Sequence, residues 1–363
     1  MKILHSVEET NIGGCIMPTF RSEDLWKISF EIFKAAGAPE NEAKLVSDML
    51  IEANLDGHDS HGVIRVIQYV KSIREGKIKP GAKIKVLRET PTTAVLDGNW
   101  GFGQVIAREA MMKAISKAER YSVGIVCARN CNHIGRLSDY TLMAVKRGMI
   151  GVSFANSLSS VAPHGGMERR IGTCPMSFAF PTDDEIPFVI DMATSICAEG
   201  KIRVKSHEGK NLPYECIVDR YGKLTKDPRA FYDGGAILPL GGEVGYKGFS
   251  LGLTVEILGG ILSGAGFSYS QKFKGGNGVF MQAIKVEAFM SLNEFRRELQ
   301  DLTLAVRTTK PRLGFKEILT PGEIEFRVRK QRLREGIYIP EKTWREIIRI
   351  GEQLGLKLDE IKT

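Results

Sequence analysis

The stretch from residue 123 to residue 157 constrains this chain most. VGIVCARN (123–130) and MIGVSFANS (149–157) are apolar runs of strand length, and LMAVKRG (142–148), a helix by pattern, lies between them. Short apolar runs that alternate with helical segments predict an α/β centre. IKVLRETPTTAVLDG (84–98) adds two strands around a turn at Pro91, being rich in β-branched residues. NWGFGQVIAREAMMKAISKAERY then passes from a glycine loop into a helix.

Both ends read differently. Residues 22–55 predict two amphipathic helices: Ser22 is placed to cap the first, Leu25, Ile28, Ile32 and Phe33 recur at helical spacing, and Pro39 suits the start of the second. EFRRELQDLTLAVR and PEKTWREIIRIGEQLG are helical near the other end, whereas 238–268 is a glycine-rich loop followed by an apolar helix. The change of pattern divides the chain into a helical domain from both termini (18–90 with 285–363) and an α/β domain (91–284) that binds the cofactor.

No run of about eighteen apolar residues occurs, so no membrane helix is expected, and MKILHSVEETNIGG is not a secretory signal. The six cysteines are scattered; only Cys127 and Cys131 are close, and no second pair completes a zinc site, so no metal is expected. Reduced, buried thiols in a cytoplasmic protein are the expectation. A net charge of +8 suits nucleic acid or small anions equally. The densest basic run, RVRKQRLREG (327–336), lacks interleaved aromatics and reads as a solvated face, which argues against a nucleic-acid partner.

Within DGHDSHGVIRV (56–66), His61 and Arg65 stand at i,i+4 spacing, which on a helix places a proton-transfer group and a fixed cation on one face. The plainer reading makes Asp59 or Ser60 the N-cap of a helix starting near Gly62. GFGQVIA mimics a dinucleotide fingerprint, but Ile106 stands where its third glycine belongs and no acidic residue ends the next strand, so a Rossmann site is not expected there. His133 follows a strand, beside a glycine and Arg136, and is a candidate base. Asp191 ends another strand and could orient a histidine or bind a ribose hydroxyl, with Thr194 and Ser195 as phosphate donors or parts of an ordinary turn. Lys247, between two glycines, suits a pyrophosphate.

In order, ANLDGHDSHGVIR, NHIGRLSDY…RGMIGVSFANS, APHGGMERRIGTCPMSFAFP, IDMATS…GKI, LPLGG…GYKG and TPGE resemble the malate/L-lactate dehydrogenase family that lacks a Rossmann fold. The likeness spans roughly residues 20–355, and GHDSHG and HIGRL are closest to its hydroxycarboxylate dehydrogenase branch. It implies a non-Rossmann cofactor domain with a central mixed sheet, and hydride transfer between NAD or NADP and a small anionic 2-hydroxy or 2-oxo acid, NAD being the cofactor expected. It implies His61 and His133 as the active-site histidines, with Ser60 and Arg65 on the substrate side. Gly135, Arg136, Leu137, Ser157, Asp191, Met192, Ala193, Thr194, Ser195, Lys247, Thr320, Pro321, Gly322 and Glu323 match its cofactor-contacting stretches. A homodimer with the active site near the interface is implied too. Cys174, Cys131 and the pair Arg136–Leu137 depart from the family's usual residues, and the last departure bears on the substrate. A reductase of cyclic imino acids or of another keto acid, and more remotely a non-catalytic dinucleotide-binding protein, are the alternatives.

Overall fold

The computed structural model describes residues 10–12, 15–17 and 19–358. Its centre is a seven-stranded sheet built from β1 (Lys85–Glu89), β2 (Thr93–Asp97), β3 (Val123–Cys131), β4 (Met149–Ala155), β5 (Met176–Phe180), β6 (Phe188–Met192) and β7 (Asn277–Lys285). The strand order is β1-β2-β3-β7-β4-β5-β6. All neighbours are antiparallel except β2 and β3, so the sheet is mixed and differs from the mostly parallel dinucleotide fold.

The parallel pair is joined by helix α4 (Gly103–Tyr121), as parallel neighbours need a crossover. β3 and β4 read as apolar runs because both faces of the sheet are covered. On one side Val126, Ala128 and Val279 pack with Ala107, Ala110 and Met111 of α4 and Tyr140 of α5 (Ser138–Val145). On the other side Cys127, Phe154, Met176 and Phe280 pack with Val255. β7 enters the middle of the sheet from far downstream, a strand that the sequence reading did not anticipate.

The helices α1 (Ser22–Ala35), α2 (Glu40–Leu55) and α3 (Arg65–Arg74) enclose a second core. Leu25, Ile32, Phe33, Leu50, Val66 and Tyr69 meet Ile337, Ile339 and Ile347 there, so residues from both ends of the chain share it. Ser22 is the first helical residue rather than a cap; Arg21 holds the cap position and makes no side-chain cap bond. Further helices are α6 (Glu199–Glu208), α7 (Tyr246–Val255), α8 (Leu292–Arg307), α9 (Glu323–Glu335) and α10 (Glu341–Gln353). α7 runs on into a π-helical turn, Glu256–Ile261.

Candidate active site

The site begins where α2 ends. Gly57 takes the left-handed conformation (φ 81°), and the His58 and Gly57 N–H groups donate to the Ala53 and Asn54 carbonyls, closing the helix with a Schellman turn. Residues 59–61 then form one 3₁₀ turn before α3. Asn54 ties the segment together: its amide donates to the Asp59 carboxylate at 2.7 Å and its Oδ1 accepts the Val63 N–H at 2.8 Å. Arg332 of α9 grips the same carboxylate through both terminal nitrogens, at 2.6 and 2.9 Å.

Two sequence readings are corrected here. Neither Asp59 nor Ser60 caps α3, which starts at Arg65 behind Ile64 without a side-chain cap bond, because the Asp59 carboxylate is held by Asn54 and Arg332. The basic run 327–336 is more than a solvated face. Arg327 pairs with Glu317 and Glu323 near the start of α9, while Arg329 with Glu52 and Asp56 and Arg332 with Asp59 lock α9 onto the segment that carries the histidine.

His61 and His133 come together from opposite cores, their rings stacked with centroids 5.4 Å apart and planes 18° off parallel. His61 Nδ1 lies 3.0 Å from Ser60 Oγ, and His133 Nδ1 lies 2.7 Å from the Tyr69 hydroxyl. Burial, reinforced by the Arg65 cation, pulls His61 down to about 3 and holds His133 well below the ordinary histidine value. Both imidazoles are therefore neutral at neutral pH. Arg65 stands one helical turn before Tyr69; its Nε donates to the Ser60 carbonyl at 2.6 Å and one terminal nitrogen to Gln68. Nη2 meets no partner among the described residues and is the donor left for an anion.

Gly103 explains why GFGQ resembles a fingerprint without being one. A Cβ there would lie 2.2 Å from the Asn132 carbonyl and 2.3 Å from that of His133, so this glycine lets α4 pack directly on the loop holding His133.

A cleft of about 550 Å³ runs between α2, α5, α9 and the β6 edge. Leu45, Met49, Leu142, Met143 and Phe326 give it an apolar wall; Arg108, Arg136, Lys146 and Arg329 supply cations, and the carboxylates of Asp48, Glu52, Asp56, Asp139, Asp184, Asp191 and Glu325 make the rest of its charged lining acidic. His61, His133 and Arg65 are not part of its wall; the connection runs through His58, three residues before His61, and Arg136, three residues after His133, which both line it.

Of the residues matched to cofactor contacts, Arg136, Asp191 and Gly322 line this cleft. Arg136 is buried and held by Asp56 and Asp139, tying α2 to α5. Asp191 accepts the Ser138 N–H at 2.7 Å, which anchors the start of α5. Ser157, Thr194 and Ser195 lie apart from it: Ser157 Oγ accepts the Thr173 N–H, Thr194 Oγ1 donates to the Thr173 carbonyl, and Ser195 Oγ donates to that of Cys197. Met192 and Ala193 join β6 to that loop, and Lys247 is exposed on α7. Gly135 takes a positive φ beside Gln104, while the Leu137 side chain is buried in the core. Thr320, Pro321 and Glu323 lead into α9, with the Glu323 carboxylate bound by Thr320, Arg307 and Arg327.

Three important residues escaped the sequence reading. Tyr69 had a signal, since it extends the His61–Arg65 spacing by one more turn. Gln104, whose Nε2 donates to the Tyr69 hydroxyl at 2.8 Å, had none. Glu256 is a buried carboxylate in the π-helical turn that accepts from the Gly172 and Ser268 N–H groups, Asn156 Nδ2, the Cys174 thiol and the Ser268 hydroxyl. It fixes the loop bearing Ser157 and Thr173, and it gives the departure at Cys174 a partner.

Known proteins match this architecture along nearly the whole chain. The malate/L-lactate dehydrogenase family model matches residues 20–348. A malate dehydrogenase from Pyrococcus abyssi is 40% identical over 92% of this chain and 94% of its own. An L-sulfolactate dehydrogenase from Methanocaldococcus jannaschii is 37% identical over 94% and 98%. The solved malate dehydrogenase structure from Pyrococcus horikoshii superposes with a TM-score of 0.87 at 36% identity, covering 97% of this chain and 99% of that one. With two histidines stacked beside an arginine on a mixed, non-Rossmann sheet, and with these matches end to end, the chain belongs to the malate/L-lactate dehydrogenase family.

Proposed function

We propose that this chain is an NAD-dependent dehydrogenase of small 2-hydroxy acids, with malate- and lactate-like acids as the substrate class. The observation that carries the reading is the stacked pair of neutral histidines beside Arg65, because hydride removal from a hydroxy acid needs a neutral base at the hydroxyl and a cation at the carboxylate. The cleft nearby offers a nicotinamide dinucleotide apolar side chains for its rings, Asp191 or Glu325 for ribose hydroxyls and Arg108 and Lys146 for phosphates, with the carboxylates of Glu52, Asp56 and Asp139 neutralised by Arg329 and Arg136 and those of Asp48 and Asp184 facing the same space. When bound, the dinucleotide accepts the hydride. The protein's part is to hold the carboxylate at Arg65, place the hydroxyl against a histidine, and receive its proton. Ser60, hydrogen-bonded to His61 Nδ1, is the further hydroxyl on the substrate side.

The other matched positions, from Gly135 to Glu323, are proposed as cofactor contacts on the resemblance; of the whole set Arg136, Asp191 and Gly322 line this cleft. The division into a helical domain (18–90 with 285–363) and a cofactor domain (91–284) is part of the proposal, supported by the separate cores. So are a homodimer and a cytoplasmic location. Among the described residues no helix is long and apolar enough to cross a membrane.

The test is absorbance at 340 nm with NADH or NADPH and a panel of oxaloacetate, pyruvate, sulfopyruvate and piperideine-2-carboxylate. Turnover of a 2-oxo acid with preference for NADH is expected. Turnover of the cyclic imine alone, or of nothing in the panel, refutes the proposal. Sedimentation of the same sample as a monomer refutes the dimer.

A further inference from the structure

The first turn of α6 is seated on the segment that carries His61. A Cβ on Gly200 would lie 2.7 Å from Ser60 Cβ, so a glycine is what lets the helix come this close. Ser60 in turn accepts Arg65 Nε on its carbonyl at 2.6 Å and meets His61 Nδ1 through its hydroxyl at 3.0 Å. Arg203 stands three residues after Gly200, and on a helix that spacing puts both on one face. Its charge reaches Arg65 and His133, opposing the protonated form of each.

Arg203 is held in place. Glu199, one turn before it, accepts from Nη2 at 2.8 and 3.0 Å and from Nε at 3.3 Å, and the Tyr232 hydroxyl donates to the same carboxylate at 3.1 Å. An i,i+4 ion pair on a helix surface contributes little by itself. This one leaves Arg203 Nη1 with no partner among the described residues, as Arg65 Nη2 is left. Arg169 lies over the Phe231 ring at 3.9 Å, with its Nε and Nη2 donating to the Gly235 and Phe231 carbonyls. Arg65, Arg169 and Arg203 all feel the one Glu199 carboxylate, so among these four groups two positive charges stay unmatched. A substrate with a single acidic group would match only one of them.

We propose that Arg203 is a specificity-determining residue, which receives the far acidic group of a dianionic 2-oxo or 2-hydroxy acid whose near carboxylate lies on Arg65. This rests on the dehydrogenase reading and narrows it: acids with a second carboxylate or a sulfonate are used in preference to those ending in a methyl or alkyl group. Glu199 and Tyr232 are positioning residues here. By occupying Nε and Nη2 they fix the guanidinium and leave Nη1 to donate, so little side-chain freedom remains to be lost on binding.

The test is a ratio. The wild type should prefer oxaloacetate and sulfopyruvate to pyruvate in kcat/KM, and Arg203→Met should lower that preference about 10- to 150-fold, the worth of a hydrogen bond to a charged group. The loss should fall mainly in KM, because Arg203 holds the far group equally in the ground and transition states. Arg203→Lys, which keeps the charge and loses the planar fork, should recover part of the preference. If Arg203→Met does not fold, Arg203→Gln carries the test by the same ratio. A wild type that uses pyruvate as well as oxaloacetate, or a variant whose preference is unchanged, overturns the proposal. No turnover of any 2-oxo acid by the wild type refutes the dehydrogenase reading instead. Calorimetric titration with succinate and butyrate, neither of which carries a reacting carbonyl, then decides the assignment. Succinate bound more tightly by about tenfold or more, with the advantage lost in Arg203→Met, upholds it. Equal or absent binding of the two overturns it.

Discussion

Replacing His61 with glutamine should make the protein markedly less sensitive to acid. In the folded chain His61 titrates at about 3, against 6.5 for an ordinary histidine, because burial and the neighbouring Arg65 disfavour its charged form. Between those values the unfolded chain binds a proton that the folded chain refuses, so stability is complete above about pH 7 and drains away as pH falls through 6.5 toward 3. At pH 5 the unfolded histidine is favoured by a factor of about 30, which costs the fold about 2 kcal/mol. That is a large share of a typical stability of roughly 5–15 kcal/mol. His61→Gln removes the titration, while any packing defect it introduces is the same at both pH values and cancels in the difference. Urea denaturation of wild type and variant at pH 7.5 and pH 5, at one protein concentration and without cofactor, measures it. The wild type should lose about 2 kcal/mol more than the variant between the two conditions. A difference below about 0.5 kcal/mol would mean that His61 is solvated enough to protonate freely. The argument for a neutral base at that position would then collapse.

Gly103→Ala forces a methyl against two backbone carbonyls that cannot rotate away, so it should cost about 1–3 kcal/mol or more and, by displacing His133, reduce kcat at least tenfold. Thermal melts and NADH oxidation check it; an unchanged melt with only weaker NADH binding would show that the glycine serves a phosphate instead. Glu256→Gln replaces an acceptor surrounded by donors with a group that is half donor, leaving at least one N–H facing another. It should destabilise by about 1–3 kcal/mol in urea, and equal stability would remove Glu256 as the anchor of the 156–174 loop.

The elements with a strong local signature were legible in the sequence: α1, α2, β1 to β4, and the α/β alternation of the centre. β7 was missed because NGVFMQAIK is one more short apolar run, and nothing local says that it will part β3 from β4. The histidines and Arg65 were visible because they crowd into short polar stretches. Gln104 and Glu256 were not, since a single polar residue in a helix looks like surface until the packing buries it. The role of Asp59 was misread for a related reason. Its partner Arg332 is more than 270 residues away, and local rules offered only the helix cap.

The late arrival of β7 also bears on how the chain is made. While the ribosome is still synthesising residues 156–276, β3 and β4 exist with no strand between them, and each presents a row of unpaired backbone N–H and C=O groups that any other extended chain could pair with. The first three helices wait longer still, because Ile337 and Ile347 of their core emerge only near the end. Neither core can close until most of the polypeptide has been translated. The nascent chain is therefore at its most aggregation-prone through the middle of its own synthesis, and slowed elongation or chaperone occupancy across that window should govern its yield more than the stability of the finished fold.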